Sequence, residues 1–130
     1  MKLFLAALIT PLLLQTTPAN AFDFKFDWSG LKLCTSGKPK KVENPTFVLS
    51  SVPKGTKFIT FKLVDLDVPS YNHGGGTVAY TGQKSIKPGA FKYKSPCPPS
   101  EKHKYQWIAR AQSIKRGGKL EQATATKSYP

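Results

Sequence analysis

Negative charge is scarce in this sequence: 7 aspartates and glutamates stand against 20 lysines and arginines, which gives a formal net charge of +13 at pH 7. Arginine is scarce as well, since Arg110 and Arg116 are the only two. Proteins that contact nucleic-acid phosphates rely heavily on arginine, so no specific nucleic-acid partner is indicated. The many lysines instead predict weak, salt-sensitive contact with anionic surfaces such as acidic membranes.

Long apolar runs are also missing, because none approaches the roughly 20 residues that span a bilayer. The longest run, Leu3 to Leu14, follows Lys2 and precedes the small-residue pattern Ala19-Asn20-Ala21, an order typical of a cleaved secretory signal. We therefore predict a signal peptide over residues 1–21 and an exported, soluble domain over residues 22–130, periplasmic or secreted. A chain of this length suits one domain with a single core.

Cysteine occurs only twice, as Cys34 and Cys97. Disulfides persist outside the cytoplasm, so export favours one bridge between these two residues. Such a bridge would close a loop of about 60 residues and contribute about 4 kcal/mol to stability. Two free, buried thiols are the alternative.

No segment of ten residues repeats its apolar positions with the period of a helix. Short segments with a strand-like pattern occur instead, at residues 22–28, 31–34, 46–49, 57–65, 77–80 and 104–111. Turn residues separate them, and a polar, lysine-rich loop covers residues 37–43. We therefore predict an all-β fold, an antiparallel β-sandwich, with a short C-terminal helix over residues 120–125 as the one helical element that the pattern allows.

Two of these strands predict which side chains face the core. Asp65 ends the strand at residues 57–65 on its apolar face, so its carboxylate is either a structural acceptor or the wall of a pocket. The other inward-facing residues are Ile59, Phe61, Leu63, Tyr105, Trp107, Ala109 and Ala111.

Both histidines lie between Asp65 and Tyr105, in the stretch that is also richest in proline and glycine. Proline fixes φ and glycine relaxes it, so this alternation around polar side chains predicts a pocket of defined shape. An imidazole carries a proton near neutral pH and a phenol donates a hydrogen bond, so the pocket suits a small anion. The motifs are Asp65-Leu66-Asp67-Val68-Pro69-Ser70, Asn72-His73-Gly74-Gly75-Gly76, Ser95-Pro96-Cys97-Pro98-Pro99 and His103-Lys104-Tyr105.

The order of these motifs resembles the phosphatidylethanolamine-binding proteins, also called Raf kinase inhibitor-like proteins, whose pattern runs D-x-D-x-P-S, a histidine, G-P-C-P-P and H-x-Y. The resemblance spans Asn44 to Gln112 and implies a β-sandwich of that type with one small anion pocket. The glycines after the first histidine replace a bulkier wall, which predicts a more open pocket or extra backbone N–H donors. The residues implied as ligand-binding are Asp65, His73, Pro98, His103 and Tyr105, and those implied as loop-shaping are Asp67, Pro69, Ser70, Gly74, Gly75 and Gly76.

We expect binding of a phosphate or phospholipid headgroup, without catalysis and without a cofactor. Inhibition of an extracytoplasmic protease is one alternative, because the family includes inhibitors. A hydrolase is another, with Zn²⁺ held by the two histidines and an aspartate. A serine hydrolase using Ser70, His73 and Asp65 is less favoured, because Ser70 and His73 share one tight loop and lack independent placement.

Overall fold

The computed structural model describes residues 11–14 and 20–130. These residues form nine strands, and within them no helix is long and apolar enough to cross a membrane. The predicted signal peptide, residues 1–21, lies mostly outside the described residues. The strands are β1 (Asp23–Lys25), β2 (Lys41–Glu43), β3 (Phe47–Ser50), β4 (Phe58–Asp65), β5 (Gly75–Ala79), β6 (Ser85–Ile86), β7 (Lys92–Lys94), β8 (His103–Gln112) and β9 (Lys119–Tyr129).

The strands form three antiparallel sheets, with orders β1-β3-β6, β2-β7 and β5-β4-β8-β9. An aromatic core joins them. Phe47 of β3 stacks on Phe61 of β4 with their ring centroids 4.1 Å apart, and Tyr93 of β7 meets Trp107 of β8 edge-on at 4.9 Å. Each such pair adds about 0.5–1.5 kcal/mol beyond the burial of its area. The predicted all-β antiparallel sandwich is confirmed.

The inward faces predicted for β4 and β8 are also confirmed. Alternate residues of both strands are almost completely buried, as a strand with one face on the core requires. The register pairs Leu63 with Trp107 and, at the end of the core, Asp65 with Tyr105. The sequence alternation therefore carries the Asp65 carboxylate to the end of the sandwich beside the Tyr105 ring.

The predicted C-terminal helix at residues 120–125 is wrong, because these residues belong to β9, the longest strand. β9 pairs with β8 from Lys119 to Tyr129, and Ala123 and Tyr129 are its buried positions. The edge of β8 needs a hydrogen-bonding partner, and the β-branched Thr124 and Thr126 favour the extended form. Tertiary pairing therefore overrides the weak helical pattern.

Two other segments differ from expectation. Residues 31–34 form no strand, because the Tyr129 hydroxyl accepts the N–H of Cys34 at 2.8 Å and donates to the Lys32 carbonyl at 3.3 Å. Part of the lysine-rich segment predicted as a loop forms β2, which pairs with β7. Both differences depend on partners that are far away in the sequence.

Gly75 and Gly76 lie in β5, although the sequence implied a loop-shaping role for both. A Cβ atom at Gly75 would overlap the backbone carbonyl of Phe61 in the neighbouring β4, and one at Gly76 would meet the Phe91 ring. These glycines therefore allow close packing of β5. Only Gly74, with a φ of 75°, shapes the preceding turn.

Cys34 and Cys97 form a disulfide with their Cα atoms 4.7 Å apart, so the predicted bridge is confirmed over two free thiols. The bridge spans 63 positions of sequence. It joins the segment after β1 to the proline-rich segment between β7 and β8.

We expect Gly75→Ala to destabilise the fold by about 1–3 kcal/mol, because the added methyl group meets backbone that cannot rotate away. Loss of glycine also restricts the unfolded chain, which alone would stabilise by about 0.4–1 kcal/mol. Urea unfolding measures the net change in the free energy of unfolding that results from these two opposing effects. Thr77→Ala, at an exposed position of the same strand, is the control and should cost less than about 1 kcal/mol. Equal midpoints for both variants would contradict the close-packing role.

We expect the Cys34→Ala/Cys97→Ala double variant to lose about 4 kcal/mol of unfolding free energy, since removing the bridge frees a long loop in the unfolded chain. Denaturant unfolding of oxidised parent and variant measures this loss. Thiol titration of the parent, unfolded without reductant, should detect no free thiol; two reactive thiols per chain would show that the bridge does not form.

Candidate functional site

The four sequence motifs meet at one end of the sandwich around a cavity of about 190 Å³. Asp65 ends β4, His103 begins β8 and Tyr105 follows two residues later. His73 precedes β5, and Pro98 comes from the segment between β7 and β8. All five residues implied as ligand-binding therefore line one cavity.

The Asp65 carboxylate is buried, with 4% of the residue exposed, and both oxygens accept hydrogen bonds. Oδ1 accepts the backbone N–H groups of Asp67 at 2.9 Å and Val68 at 3.2 Å, which shapes the turn after β4. Oδ2 accepts Nδ1 of His103 at 2.7 Å. In the described residues this is the sole close contact between a carboxylate and a basic side chain. A buried carboxylate needs such partners, so Asp65 orders both the turn and the histidine.

The hydrogen bond to Asp65 fixes the orientation of His103. Because Nδ1 donates to the carboxylate, Nε2 is the ring nitrogen left for a ligand. The His103 side chain is 18% exposed. Asp67 reinforces the arrangement, because its Oδ2 accepts the backbone N–H of Lys104 at 2.8 Å. The two aspartates of D-x-D thus hold the start of β8, one through a side chain and one through the backbone.

His73 is almost fully buried, with 3% exposed, and its Nδ1 donates to the Lys94 carbonyl at 2.7 Å. Its ring packs against Tyr71 at 4.6 Å and Tyr105 at 5.6 Å between ring centroids. Burial lowers the pKa of His73 below its ordinary value of 6.5, although the Lys94 carbonyl and the Asp65 charge oppose the shift. At neutral pH His73 is therefore uncharged, and its Nε2 is an acceptor.

Tyr105 is 1% exposed and lines the cavity between the two histidines. Burial first, and the Asp65 charge second, raise the pKa of the phenol far above its ordinary value of 10.0. The hydroxyl therefore remains protonated at physiological pH. It can act as a hydrogen-bond donor to a ligand and not as a base.

The cavity has a wall that sequence reasoning missed. Gly37 and Pro39, from the segment after Cys34, line the cavity together with Pro98 and Pro99. A Cβ atom at Gly37 would lie 3.1 Å from Cβ of Pro99, so the two segments are in close contact. The disulfide holds them together. The sequence could have indicated this wall, because Gly37 and Pro39 lie only a few residues after Cys34 and the disulfide joins Cys34 to the proline-rich segment.

Tyr71 and Val68 also line the cavity, and they complete the wall that the sequence assigned to the glycine run. None of Gly74, Gly75 and Gly76 lines it, so these glycines neither open it nor direct N–H groups into it. Tyr71 was overlooked in the sequence, although an aromatic residue two positions before His73 could have indicated this wall. Pro69 and Ser70 lie in the β4–β5 loop but do not line the cavity.

The residues whose donor atoms lie close enough to hold a metal differ from the two histidines and one aspartate that the sequence suggested. Donor atoms of Asp65, Asp67 and His103 lie within 4.8 Å of one another in the described residues, and His73 is not part of that group. Each of the three already has a hydrogen-bond partner: Asp65 with His103, and Asp67 with the Lys104 N–H. Binding a metal through these atoms would break the contacts that order the site.

No protein-family model matches this sequence, and no curated protein matches it. Solved structures that are similar in fold include the following two. The phosphatidylethanolamine-binding protein homologue CT736 of Chlamydia trachomatis has a TM-score of 0.61 at 17% identity, over 86% of this chain and 99% of that one. YbcL of E. coli, described as a member of the mammalian PEBP family, has a TM-score of 0.62 at 16% identity, over 85% of this chain and 98% of that one. The chain therefore has the fold of the phosphatidylethanolamine-binding proteins.

Proposed function

We propose that this chain is an exported binding protein of the phosphatidylethanolamine-binding type, and that its cavity takes a small phosphate-type anion. The group recognised is a phosphate ester, either free or in a phospholipid headgroup. The observation that carries the proposal is the Asp65–His103 hydrogen bond, which leaves Nε2 of His103 available in a proline-walled cavity.

The hydrogen-bonding groups of the site suit an anion. An imidazolium at His103 would offer an Nε2–H donor, and Asp65 behind it accepts from Nδ1. The raised pKa of Tyr105 keeps its hydroxyl protonated, so the phenol is a second donor group in the cavity. Pro98 and Pro99 contribute apolar surface without N–H groups. A charge-assisted hydrogen bond in such surroundings contributes about 1.5–3 kcal/mol.

Binding is favoured over nucleophilic catalysis by the composition of the cavity. Among the described residues that line it, there is no serine or threonine hydroxyl, and Cys97 is held in the disulfide. Tyr105 remains protonated, and the Asp65 oxygens already accept hydrogen bonds. His73 could accept a proton, but a hydrolase also needs a nucleophile or positioned water beside it.

The surface charge and the disulfide support two further parts of the proposal, which are export and weak contact with an anionic surface. No lysine in the described part of the chain forms an ion pair with a carboxylate, so their charges remain available to attract anions. This attraction supports weak contact with an acidic membrane surface, as expected from the net charge. The disulfide is compatible with an oxidising, extracytoplasmic compartment.

We expect the affinity for dimethyl phosphate to be higher at pH 5.5 than at pH 8, because an anion held by an imidazolium N–H couples its binding to proton uptake. The bound anion favours the protonated histidine, so binding takes up protons and is strongest at low pH. This phosphodiester keeps one charge across the range, which avoids the titration of a phosphate monoester. Calorimetry at several pH values measures the trend.

His103→Ala should cost about 1.5–3 kcal/mol of this binding at pH 5.5, and Tyr105→Phe should cost less. Lys62→Gln, an exposed change on β4 that does not line the cavity, is the control for net charge. An affinity that is flat with pH, or a His103→Ala variant that binds like Lys62→Gln, would remove the cavity as the anion site.

We expect acid destabilisation that depends on His73. Its pKa is lowered in the folded protein, so the unfolded chain binds the proton more tightly. The contribution to stability is complete above the unfolded value, near 6.5, and is lost as the pH falls towards the lower folded value. His73→Asn, whose amide N–H lies where the Nδ1–H of histidine lies and can donate to the Lys94 carbonyl, should therefore lose less unfolding free energy between pH 7 and pH 5. Urea unfolding at both pH values tests this, and equal losses would contradict it.

A further inference from the structure

A second and larger groove, of about 690 Å³, lies between the segment at residues 27–34 and the β2–β7 pair. None of the residues that line it also lines the smaller cavity. The function proposed above makes no use of it.

One side of this groove is an open strand edge. β2 pairs only with β7, through hydrogen bonds such as Ser95 N–H to the Lys40 carbonyl at 2.8 Å and Asn44 N–H to the Phe91 carbonyl at 3.0 Å. Backbone groups alternate in direction along an antiparallel strand. Those of Lys41 and Glu43, two residues that line the groove, therefore point away from β7.

These outward backbone groups have no partner in the described residues. No backbone hydrogen bond from the facing segment reaches Lys41 or Glu43, although both residues line the groove. That segment is instead anchored by the Tyr129 hydroxyl and by the disulfide at Cys34. Within the described part of the chain, the groove therefore has unpaired backbone donors and acceptors along the wall formed by β2.

The opposite wall of the groove carries apolar side chains, among them Trp28 and Leu33. Trp28 is half-buried, and its Nε1 donates to the Ser128 carbonyl at 2.9 Å, which fixes the indole ring. Leu33 is 75% exposed and has no comparable packing. A leucine exposed to this degree beside an unpaired strand edge can contact the side chains of an incoming strand. In such a strand every second side chain faces the same wall.

The groove is positively charged. Four lysines line it, against the two carboxylates of Asp27 and Glu43, which leaves a net charge of +2. Asp27 is itself engaged by the hydroxyl and the N–H of Ser29. The lysines are Lys32, Lys40, Lys41 and Lys92.

We propose that this groove binds an extended acidic peptide, which adds as a strand to the open edge of β2. Its backbone exchanges N–H···O=C hydrogen bonds with Lys41 and Glu43, and its acidic side chains lie near the four lysines. Alternate apolar side chains contact Leu33 and Trp28. A second copy of this chain is disfavoured, because its net charge of +13 would be repelled. A polysaccharide would not match the backbone spacing of a strand.

The test uses a capped hexapeptide that alternates valine and glutamate, a length within the usual range for one strand. NMR titration follows the backbone amides, and hydrogen exchange follows the N–H groups of Lys41 and Glu43. We expect saturable shifts around β2 and slower exchange at these two amides. The same peptide with lysine for glutamate, or with alternate N-methyl groups on the pairing residues, should bind at least tenfold more weakly.

Variants separate the backbone contact from charge and packing. Lys41→Gln removes a charge and keeps the N–H, whereas Lys41→Pro also removes the outward N–H and should weaken binding by a further tenfold. Leu33→Asp should weaken binding tenfold, and Ile114→Asp, which makes the same charge change at an exposed aliphatic residue outside the groove, should not. Spectra of the free variants confirm that each is folded.

Four outcomes would overturn the proposal. The first is that the acidic peptide does not bind at millimolar concentration, and the second is that N-methylation of the peptide does not weaken its binding. The third is that heparin shifts the same amides more strongly than the peptide does. The fourth is that raising the protein concentration alone slows hydrogen exchange at those amides. The last two would assign the groove to a polysaccharide or to a second copy. None of the four depends on the anion cavity, so the two proposals fail separately.

Discussion

The buried carboxylate of Asp65 is the interaction on which the functional end of the molecule depends. It accepts the backbone N–H groups of Asp67 and Val68 and the Nδ1 hydrogen of His103, so one side chain fixes a turn, the start of a strand and a ring. An uncompensated buried charge would be costly, which makes these contacts mutually required. The end of β4, the beginning of β8 and the cavity between them are therefore one unit.

The two histidines have different roles because their surroundings differ. His103 is partly exposed and backed by a carboxylate, whereas His73 is enclosed by aromatic rings and donates to a carbonyl. Burial lowers the pKa of His73, so its ring is uncharged at neutral pH. The two sides of the cavity therefore differ, with an enclosed neutral ring on one side and a carboxylate-backed, partly exposed ring on the other.

The part of this arrangement that the sequence predicted follows from local rules. Alternation placed Asp65 and Tyr105 on inward faces, and the order of the motifs indicated that His73, Pro98 and His103 share a site. What it missed depends on distant contacts. β9 is a strand because it pairs with β8, and β2 is a strand because β7 lies beside it. Gly75 is required by the Phe61 carbonyl, which no neighbouring residue in the sequence indicates.

The disulfide has a further consequence because of where it lies. It joins the segment that carries Gly37 and Pro39 to the one that carries Pro98 and Pro99, so both halves of one cavity wall meet at this bond. The core of the sandwich is built from other residues and does not include this wall. Reduction of this bond would therefore release the two segments of the wall from each other without removing any contact within the aromatic core.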